Sequence, residues 1–511
     1  MLRRLILVLA WALAIAWAVT SLWHPFGRDQ GIFAWVGDTI CDGGMPYRDA
    51  WEVKGPLAVY PYALTQAVFG RQMWAIRVLD LILLALAAGS LYLIARRLSG
   101  AFGGHVAAIL LVIWYGTHDY WNTAQPDGAA AMLMVPAIAA LLLGSERRST
   151  ICLGVSGILV AACVLLKPIY GAFLALPIGW IVLTARGARR SSGLLACASG
   201  FVGTIGLVAA WFAYRGALGD LIEVQFSFNR IVHLAAHKRT FAMALGETLV
   251  HGKTYYAAVA APLAVIGLGS LARKDSPALA LIAGWAAIAL ACVFIQDKFY
   301  DYHWLIILPP LALVAALGVA AAEGLIERPS QSDPPRSPVV SPCILAVVLV
   351  FTAGRLVGTV EPFARAIKTG SFANYYEGFG GVGDFSYAAD RQVADYLGRH
   401  SAENDAVLVW GFEPIINYLS ARRVPTRFGY NYPLTRGAQN PFNESYRREF
   451  MEELAASPPL YIVVADQDAN NLMPKTSKEF LHEFPELESY IHDHYQLEVT
   501  IEDFDLHRRS P

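Results

Sequence analysis

Long apolar runs separated by short polar segments dominate the first 360 residues of the chain. Each run is close to the length of about 17 to 25 residues that a helix needs to cross a bilayer. This pattern predicts an all-α polytopic membrane domain over residues 1–360, with roughly eleven transmembrane helices. The predicted spans are 5–22, 78–95, 101–116, 128–144, 151–166, 169–185, 194–213, 255–271, 278–296, 302–321 and 343–360.

After residue 360 the pattern changes to that of a water-soluble domain, because charged residues are spread throughout 361–511. Two short apolar runs, AVLVWG and YIVVAD, predict buried strands, and QVADYLGRH and EPIINYLS predict helices. We therefore expect a small C-terminal α/β domain. The glycine-rich segment 378–384 follows no strand, so it predicts a linker rather than a nucleotide-binding loop. The segment 329–342 is rich in Pro and Ser and predicts a flexible cytoplasmic linker.

The loops between the spans differ in charge, and this difference predicts the orientation in the membrane. Cytoplasmic loops are enriched in Lys and Arg, and the N-terminus and every second loop carry such residues. The N-terminus is therefore predicted to be cytoplasmic, and an odd number of spans places the C-terminal domain outside. The polar segments on the predicted outer face are 23–77, 118–127, 166–171, 214–254 and 296–303.

Composition narrows the class of protein further. Hydrophobic residues make up 56% of the 511 residues and charged residues 16%, which exceeds the apolar content of a soluble domain. The net charge of -1 gives no basic face for a nucleic acid, so the lipid bilayer is the expected partner. The run from Leu5 to Thr20 has no small-residue cleavage site after it, so we expect a retained helix rather than a signal peptide. Five of the six cysteines lie in apolar runs, and their spacing predicts neither a disulfide framework nor a zinc site.

Charged residues are concentrated in the first outer loop, 23–77, where GRDQG is followed by PYRDAWEVKGPL. Ionisable residues at a membrane boundary are unfavourable unless they bind something. Arg28, Asp29, Asp49 and Lys54 are therefore candidates for a site that holds a charged ligand. The alternative is a solvated loop with ordinary surface charges.

Five further polar residues fall on the same predicted face. Asp127 begins a span, and its alternative role is that of a helix N-cap. Lys167 precedes Pro168 at the mouth of two spans, where lysines also snorkel to the interface. Lys298, Tyr302 and His303 precede a later span, where an aromatic belt is the alternative. With Asp29 and Lys54 of the first loop they bring two aspartates and three lysines to one face, which fits a site that takes a proton and holds an anionic leaving group.

These motifs resemble the polytopic GT-C glycosyltransferases. The elements are R-D-x-G, then P-Y-x-D-x-x-x-x-K-x-P-L, an Asp after the third span, a Lys-Pro turn, and K-x-x-x-Y-H before a late span. The branch resembled most contains the protein O-mannosyltransferases and the lipid A aminoarabinose transferases. The resemblance covers residues 20–325, is strongest in 28–62, and extends to the C-terminal domain only in placement and general α/β character.

The resemblance implies an inverting hexosyl- or pentosyltransferase at the outer face of the membrane, which we expect to be a bacterial inner (plasma) membrane. The donor would be a sugar on a polyprenyl phosphate, and the acceptor a hydroxyl of a glycan, a lipid or a protein. Asp29 matches the residue proposed to deprotonate or orient the acceptor, and Lys54 matches the lysine expected to hold the donor phosphate. By the same resemblance Asp127, Lys167 and His303 line the cavity, and Asp49 positions the loop; Arg28, Lys298 and Tyr302 complete the predicted substrate-binding residues.

Two departures from the family pattern concern cofactors and specificity. Many relatives have two adjacent acids where this chain has Asp29 followed by Gln30, and a neutral amide is not a charged metal ligand. No metal or other cofactor is therefore expected. Gly55 replaces a proline of the K-P-P-L element. Because of this departure, the resemblance does not identify the sugar or the acceptor.

Two other classes of function remain open at the level of the sequence. A membrane transporter also places ionisable residues in a membrane cavity, although it should show internal repeats and broken helices at the midplane. A non-catalytic assembly subunit for a lipid-linked glycan is the second alternative, because a fold does not determine chemistry.

Overall fold

The structure is a computed structural model of the full chain. It describes residues 1–511 except 235–238, 256, 327–338, 381–384, 436–439 and 471, and the side chains of 251–258, 323–326 and 353 are also outside the description. The two predicted linkers, 329–342 and 378–384, fall largely outside the described residues.

Helices account for most of the described chain. They are α1 Leu2–Ser21, α2 Arg28–Cys41, α3 Pro56–Phe69, α4 Met73–Gly116, α5 Pro126–Arg147, α6 Thr150–Leu166, α7 Ala175–Thr184, α8 Ala188–Tyr214, α9 Leu218–Ile222, α10 Phe241–Tyr255, α11 Ala257–Ala272, α12 Ser276–Gln296, α13 Leu308–Ile326, α14 Val340–Thr369, α15 Ala373–Tyr376, α16 Tyr387–His400, α17 Ile415–Ser420, α18 Asn443–Ala456, α19 Ser477–His482 and α20 Pro485–His494. Short 3₁₀ helices cover Pro168–Leu174, Asp301–Ile307 and Tyr432–Leu434, and a π-helix covers Glu223–His233.

The chain divides into two compact units. Unit 1 consists of Met1–Leu22, Arg77–Ala209 and His237–Phe363, and unit 2 consists of Trp23–Ile76, Ala210–Ala236 and Ala364–Pro511. The predicted first outer loop, 23–77, therefore groups with the C-terminal residues, except for its last residue, Arg77, which belongs to unit 1. It also contains two helices, α2 and α3, where the sequence predicted only a loop.

Apolar helices long enough to cross a membrane lie where the sequence predicts them. Within the described residues six helices pass by length and composition, or seven if a bent pair in α14 is one span. Shorter apolar helices cover Thr150–Leu166, Pro168–Thr184, Phe241–Val250 and Val259–Ala272. Every predicted span overlaps a helix. The predicted class, an α-helical membrane domain with a C-terminal α/β domain, is confirmed, whereas the number of spans and their orientation stay predictions.

The long helix α4 contains two predicted spans and breaks between them. Gly100 has φ 82° inside this helix. A positive φ of this kind is unfavourable for residues with a Cβ, so glycine allows the chain to turn here. The break separates the predicted spans 78–95 and 101–116.

Close helix packing in unit 1 depends on small residues. Helix α11 packs along α13, where a Cβ on Gly267 would lie 2.0 Å from the Val314 carbonyl oxygen. A Cβ on Gly318 would lie equally close, 2.0 Å, to the Leu263 carbonyl oxygen. Small residues let membrane helices approach each other backbone to backbone, and this pair of glycines does so from both helices.

Unit 2 contains a four-stranded sheet. Its strands are β1 Val407–Trp410, β2 Tyr461–Ala465, β3 Tyr495–Ile501 and β4 Phe504–Arg509, in the order β1-β2-β4-β3. Strands β1 and β2 are parallel, and the β2/β4 and β4/β3 pairs are antiparallel. Helix α16 packs its apolar face on this sheet through Val393 and Leu397. The two predicted strands are β1 and β2, and the two predicted helices are α16 and α17.

Candidate functional site

The predicted site residues fall into both units. Arg28, Asp29, Asp49 and Lys54 belong to unit 2, and Asp127, Lys167, Lys298, Tyr302 and His303 belong to unit 1.

Asp29 lies in the first turn of α2 and is partly exposed. The helix begins here because Gly27 takes an extended conformation as N-cap, and the Gln30 side-chain oxygen accepts the Gly27 backbone N–H at 3.0 Å. A carboxylate in the first turn is stabilised by the positive end of the helix dipole. Gln30, which departs from the family pattern, thus has a structural role, since its side chain caps the start of the helix.

Arg28 is buried beside Asp29 and forms an ion pair with the buried Glu413. Its guanidinium carbon also lies 5.7 Å from the centre of the Phe385 ring. Burial raises the pKa of Glu413 to about 7, against the opposing effect of the Arg28 charge. A buried arginine with a carboxylate partner fixes the first residue of α2, so the pair anchors the helix turn that carries Asp29. A direct contact of Arg28 with substrate stays a prediction.

Asp49 holds a tight turn of the segment between α2 and α3. Its Oδ2 accepts the Met45 N–H at 2.7 Å and an Arg48 guanidinium N–H at 2.7 Å. Partial burial raises the pKa of Asp49, but the hydrogen bonds from Arg48 and Met45 outweigh it, so that the pKa is lowered overall. This contact network fits a residue that shapes the loop, whereas the predicted contact of Asp49 with substrate is untested.

The backbone of Lys54 is fixed on both sides. Its N–H donates to Glu52 Oε1 at 2.8 Å, and its carbonyl oxygen accepts the Tyr47 hydroxyl at 2.8 Å. The Lys54 side chain itself is partly exposed. A rigid backbone limits the positions that the ammonium group can reach, which is what a fixed anion-binding group requires.

The π-helix Glu223–His233 holds the same segment from the other side. The Gln225 side-chain amide donates to the carbonyl oxygens of Lys54 at 2.8 Å and Val53 at 3.1 Å. The Asn229 amide donates to the Val53 carbonyl oxygen at 3.0 Å. Segments of π-helix are rare in proteins, and those that occur are often found at functional sites. This one holds the loop that carries Lys54 through these side-chain hydrogen bonds.

Aromatic packing joins this loop to the C-terminal residues of unit 2. The Trp51 ring is fully buried and lies 4.8 Å from the Phe228 ring and 5.7 Å from the Tyr430 ring, centre to centre. The Trp51 backbone N–H donates to the Arg427 carbonyl oxygen at 2.7 Å, and the Arg427 guanidinium donates to the Tyr47 carbonyl oxygen at 3.0 Å. The loop is therefore a packed part of a folded unit rather than a solvated surface loop.

Glu52 is a candidate that the sequence reading missed. Its side chain is 2% exposed, and its Oε2 accepts the Tyr430 hydroxyl at 3.1 Å. Burial raises the pKa of Glu52 to about 7; Lys54 opposes this rise, and the negative charge of Asp29 adds to it. Glu52 is visible in WEVKGPL, but an acid two residues before a lysine on a loop looks like ordinary surface charge until the fold places Tyr430 against it.

Asp127 and Lys167 form a buried ion pair in unit 1. The Lys167 Nζ lies 2.6 Å from Asp127 Oδ2, and Lys167 and Asp127 are 8% and 0% exposed. The N-cap of α5 is Gln125, and Asp127 is in the first helical turn, so the alternative role of N-cap does not apply. Because Lys167 is buried and paired, it does not snorkel to an interface either. The Tyr170 hydroxyl also donates to Asp127, a partner that the LKPIYG turn contained but the sequence reading did not single out.

The later motif joins the same cluster in unit 1. The Lys167 Nζ donates to Gln296 Oε1 at 2.9 Å and lies 5.3 Å from the centre of the Tyr302 ring. The Tyr302 and His303 rings are 4.8 Å apart, and both side chains are buried together with Lys298. Gln296 is a further residue that the sequence reading missed, although it begins the QDKFYDYH motif. A cluster of this kind, with a carboxylate, an ammonium group and phenol groups, combines hydrogen-bond donors with acceptors.

Over the residues that the structure describes, there is no group of three or more His, Cys, Asp or Glu side chains arranged to hold a metal ion. Both candidate groups are instead built from ion pairs and hydrogen bonds.

Comparison with known proteins finds a family model that matches part of the chain, and solved structures with a similar fold. Residues 53–212 match the family described as dolichyl-phosphate-mannose-protein mannosyltransferase. The chain is similar in structure to ArnT from Cupriavidus metallidurans bound to undecaprenyl phosphate, with a TM-score of 0.63 and 14% identity over 98% of this chain and 97% of that chain. A comparison with the sequences of curated proteins finds no match.

Two structures of an archaeal enzyme are also similar. The oligosaccharyltransferase from Archaeoglobus fulgidus tethered with an acceptor peptide has a TM-score of 0.53 and 13% identity, over 91% of this chain and 69% of that chain. AglB from the same organism, in complex with an inhibitory peptide and a dolichol-phosphate, has a TM-score of 0.50 and 12% identity, over 89% and 69%. The predicted resemblance to the GT-C membrane glycosyltransferases is thereby confirmed, and the protein is an integral membrane protein.

Proposed function

We propose that this protein is an inverting glycosyltransferase that moves a sugar from a polyprenyl-phosphate donor to an acceptor hydroxyl. The observation that carries the proposal is that unit 2 contains both a partly exposed carboxylate and a partly exposed ammonium group. Asp29 offers a partly exposed carboxylate at a helix N-terminus, and Lys54 offers a partly exposed ammonium group on a backbone held by Tyr47, Glu52 and Gln225. Glycosyl transfer from a phosphate needs one group of each kind.

The proposed reaction is a single displacement at the anomeric carbon. Asp29 takes the proton of the acceptor hydroxyl while the acceptor oxygen bonds to that carbon. The bond between the carbon and the phosphate oxygen breaks, and its electron pair goes to the phosphate. The Lys54 ammonium group stabilises this developing charge. A direct displacement inverts the configuration of the sugar.

Names of the similar proteins support the lipid nature of the donor. ArnT was solved with undecaprenyl phosphate, AglB with dolichol-phosphate, and the matched family is described by a dolichyl-phosphate-mannose donor. All three are polyprenyl phosphates, so we assign the same chemical class to this chain. The acceptor is proposed to be a glycan, a lipid or a protein.

Residues of unit 1 are proposed as further substrate contacts. Lys167, Lys298 and Tyr302 supply donors to an anionic or hydroxylated ligand, and Asp127 holds Lys167 in place. The proposed location is a bacterial inner membrane, with the N-terminus cytoplasmic and the C-terminal domain extracytoplasmic. The basic residues of the alternate loops support this orientation.

The proposed function is tested by turnover of a panel of radiolabelled polyprenyl-phosphate sugars by purified protein in lipid. Transfer or hydrolysis of one donor by wild type, absent in an Asp29→Asn variant, would establish the reaction and identify the sugar. No turnover and no binding of any donor would instead favour a transporter or a non-catalytic assembly subunit.

Lys54→Ala is expected to raise the donor KM by about tenfold to a hundredfold, because a hydrogen bond to a charged group contributes about 1.5–3 kcal/mol. Steady-state kinetics with the identified donor measure this, with Lys54→Arg expected to recover part of the affinity. Lys368→Ala is the matched control, since Lys368 is exposed on α14. An unchanged donor KM in Lys54→Ala would remove Lys54 from phosphate binding.

A further inference from the structure

One face of each of three helical segments in unit 1 lines a common groove of about 430 Å³. The segments are α1 and the parts of α4 before and after the break at Gly100. The first part of α4 contributes a stripe at helical spacing, which consists of Leu81, Leu84, Ala85, Ala88, Gly89 and Tyr92. The other two stripes run from Trp11 to Ala18 and from His105 to Val112.

Helix α1 contacts α4 at both ends of this groove. Near the break, the Arg3 guanidinium carbon lies 4.7 Å from the centre of the Phe102 ring. At the other end, the Trp17 and Tyr115 rings pack edge to face with their centres 5.9 Å apart. Small residues leave the middle open, because a Cβ added to Gly89 would meet no atom of the described residues within 4 Å. The groove is therefore a gap in the helix packing that contacts at both ends hold open.

The walls of the groove are apolar over most of their length, and its rim is open. A water molecule needs two to four polar partners, which such walls do not offer. Ile15 and Ala85 on the rim are exposed, so the groove opens at the surface of unit 1. From Leu81 to Tyr92 it extends about 16 Å along α4, at about 1.5 Å per residue. Half of the hydrocarbon core of a bilayer is about 15 Å, so the groove fits an acyl chain of one leaflet.

One end of the groove is polar and basic. Tyr92 and His105 line it there, with their ring centres 4.9 Å apart. The Arg96 guanidinium carbon lies 6.0 Å from the centre of the Tyr92 ring, and Arg96 is exposed. The contact of Arg3 with Phe102 brings a second guanidinium group to the break that follows Arg96. Basic groups between membrane helices at the cytoplasmic side attract the phosphate of anionic lipids, and this is the end predicted to be cytoplasmic.

We propose that this groove binds an anionic phospholipid, with one acyl chain along α4 and the phosphate at Arg96. The Tyr92 hydroxyl and the His105 ring supply hydrogen-bond donors to the oxygens of the headgroup. The lipid fills the gap between α1 and α4 and so stabilises the packing of α1, most of whose side chains are not buried. The inference goes beyond the proposed function, because none of the candidate site residues lines the groove.

The first experiment measures lipid binding by the purified full-length protein. Delipidated protein in detergent is titrated with phosphatidylglycerol or with phosphatidylcholine of the same acyl chains, and bound lipids are counted by native mass spectrometry. We expect wild type to bind one phosphatidylglycerol about fivefold more tightly than phosphatidylcholine, the effect of one basic residue on an anionic headgroup. Equal affinity for both lipids would overturn the proposal, since the groove would then take up bulk lipid regardless of its headgroup.

Two variants assign the bound lipid to this groove. Gly89→Phe places a ring in the gap and should lower the affinity for phosphatidylglycerol by about tenfold or more, because excluding even two methylene groups has an effect of this size. Gly203→Phe is the matched control, since Gly203 is an exposed glycine of α8 with equally open space around it among the described residues. Arg96→Gln should retain the acyl chain and lose the preference for phosphatidylglycerol. Arg189→Gln, at an exposed position of α8, is its control.

Thermal unfolding gives a second readout on the same variants. Phosphatidylglycerol should raise the apparent melting temperature of wild type and of Gly203→Phe, because a ligand that binds only the folded state stabilises it. The melting temperature of Gly89→Phe should not respond, since the new ring already occupies the groove. An equal rise in wild type and Gly89→Phe would place the lipid elsewhere and overturn the proposal.

A polyprenyl phosphate is the competing occupant, since it also combines a phosphate with an apolar chain. Undecaprenyl phosphate added to wild type should not displace the bound phosphatidylglycerol. Displacement in wild type, together with loss of undecaprenyl phosphate binding in Gly89→Phe, would assign the groove to the polyprenyl chain and overturn the proposal. None of these measurements needs turnover, so a failure of the proposed sugar transfer leaves their outcome unchanged.

Discussion

Asp29→Asn is expected to lower the rate of sugar transfer by about a thousandfold, with donor binding close to wild type. The substitution keeps the size of the side chain but removes the base, and general base catalysis contributes about 10² to 10⁴ in rate. The measurement is turnover of the identified polyprenyl-phosphate sugar at saturating acceptor, with donor affinity measured separately. Loss of donor binding with an unchanged rate at saturation would contradict the assigned role.

The structure gives a reason why this variant should fold. The start of α2 is fixed by Gly27, Gln30 and the Arg28–Glu413 ion pair, none of which involves the Asp29 side chain. Asp29 is partly exposed, so its interaction with the helix dipole contributes only about 0.3–1 kcal/mol. Asp42→Asn is the matched control, because Asp42 is an exposed aspartate at the other end of the same helix. Its activity should equal that of wild type.

Much of the helical membrane domain was predictable from the sequence because apolar length is a strong local signal. Runs of the length that a bilayer demands are rare by chance, and each predicted span overlaps a helix. The points where the helices begin, break and end were less predictable. Helix α4 continues through the short polar interruption at Arg96 and Arg97 and breaks only at Gly100, where the backbone takes a positive φ.

The strands of unit 2 show where a local signal is missing. Strands β1 and β2 are buried over their whole length, and their continuous apolar runs predicted them. Strand β3 has a largely exposed pattern and β4 alternates with charged residues, so YQLEVTI and FDLHRR do not stand out from a polar tail. They become strands because β2 offers β4 a partner and β4 then pairs with β3.

The residues of the candidate site also differ in how far the sequence predicted them. Asp29, Lys54, Asp127 and Lys167 lie in short motifs whose residue types already indicated chemistry. Their partners from distant parts of the chain carried no such signal. Arg28 and Glu413 are separated by 385 residues, and Glu52 and Tyr430 by 378 residues. Nothing around Tyr430 distinguishes it in the sequence from the other tyrosines of the C-terminal region, and only the fold places it against Glu52.

The buried ion pair of unit 1 leads to the second prediction with a large effect. Lys167→Met keeps the aliphatic stem but leaves Asp127 without its cation in a fully buried position. Removing one partner of a buried ion pair destabilises a protein by about 3–5 kcal/mol, because the other charge remains buried without compensation. We expect a clear drop in the apparent melting temperature in lipid or detergent. Lys274→Met, at an exposed position, should leave it unchanged.

The double variant Asp127→Asn/Lys167→Met separates a structural role of this pair from a functional one. Removing both charges also removes the uncompensated charge, and buried pairs replaced by neutral groups are often neutral in stability. The double variant should therefore recover most of the stability lost by Lys167→Met. The Tyr170 hydroxyl, which donates to Asp127 in wild type, can donate to the carbonyl oxygen of the new side-chain amide instead. If the stable double variant also transfers sugar at the wild-type rate, Lys167 is a core residue only; if it is stable but inactive, the pair serves the reaction.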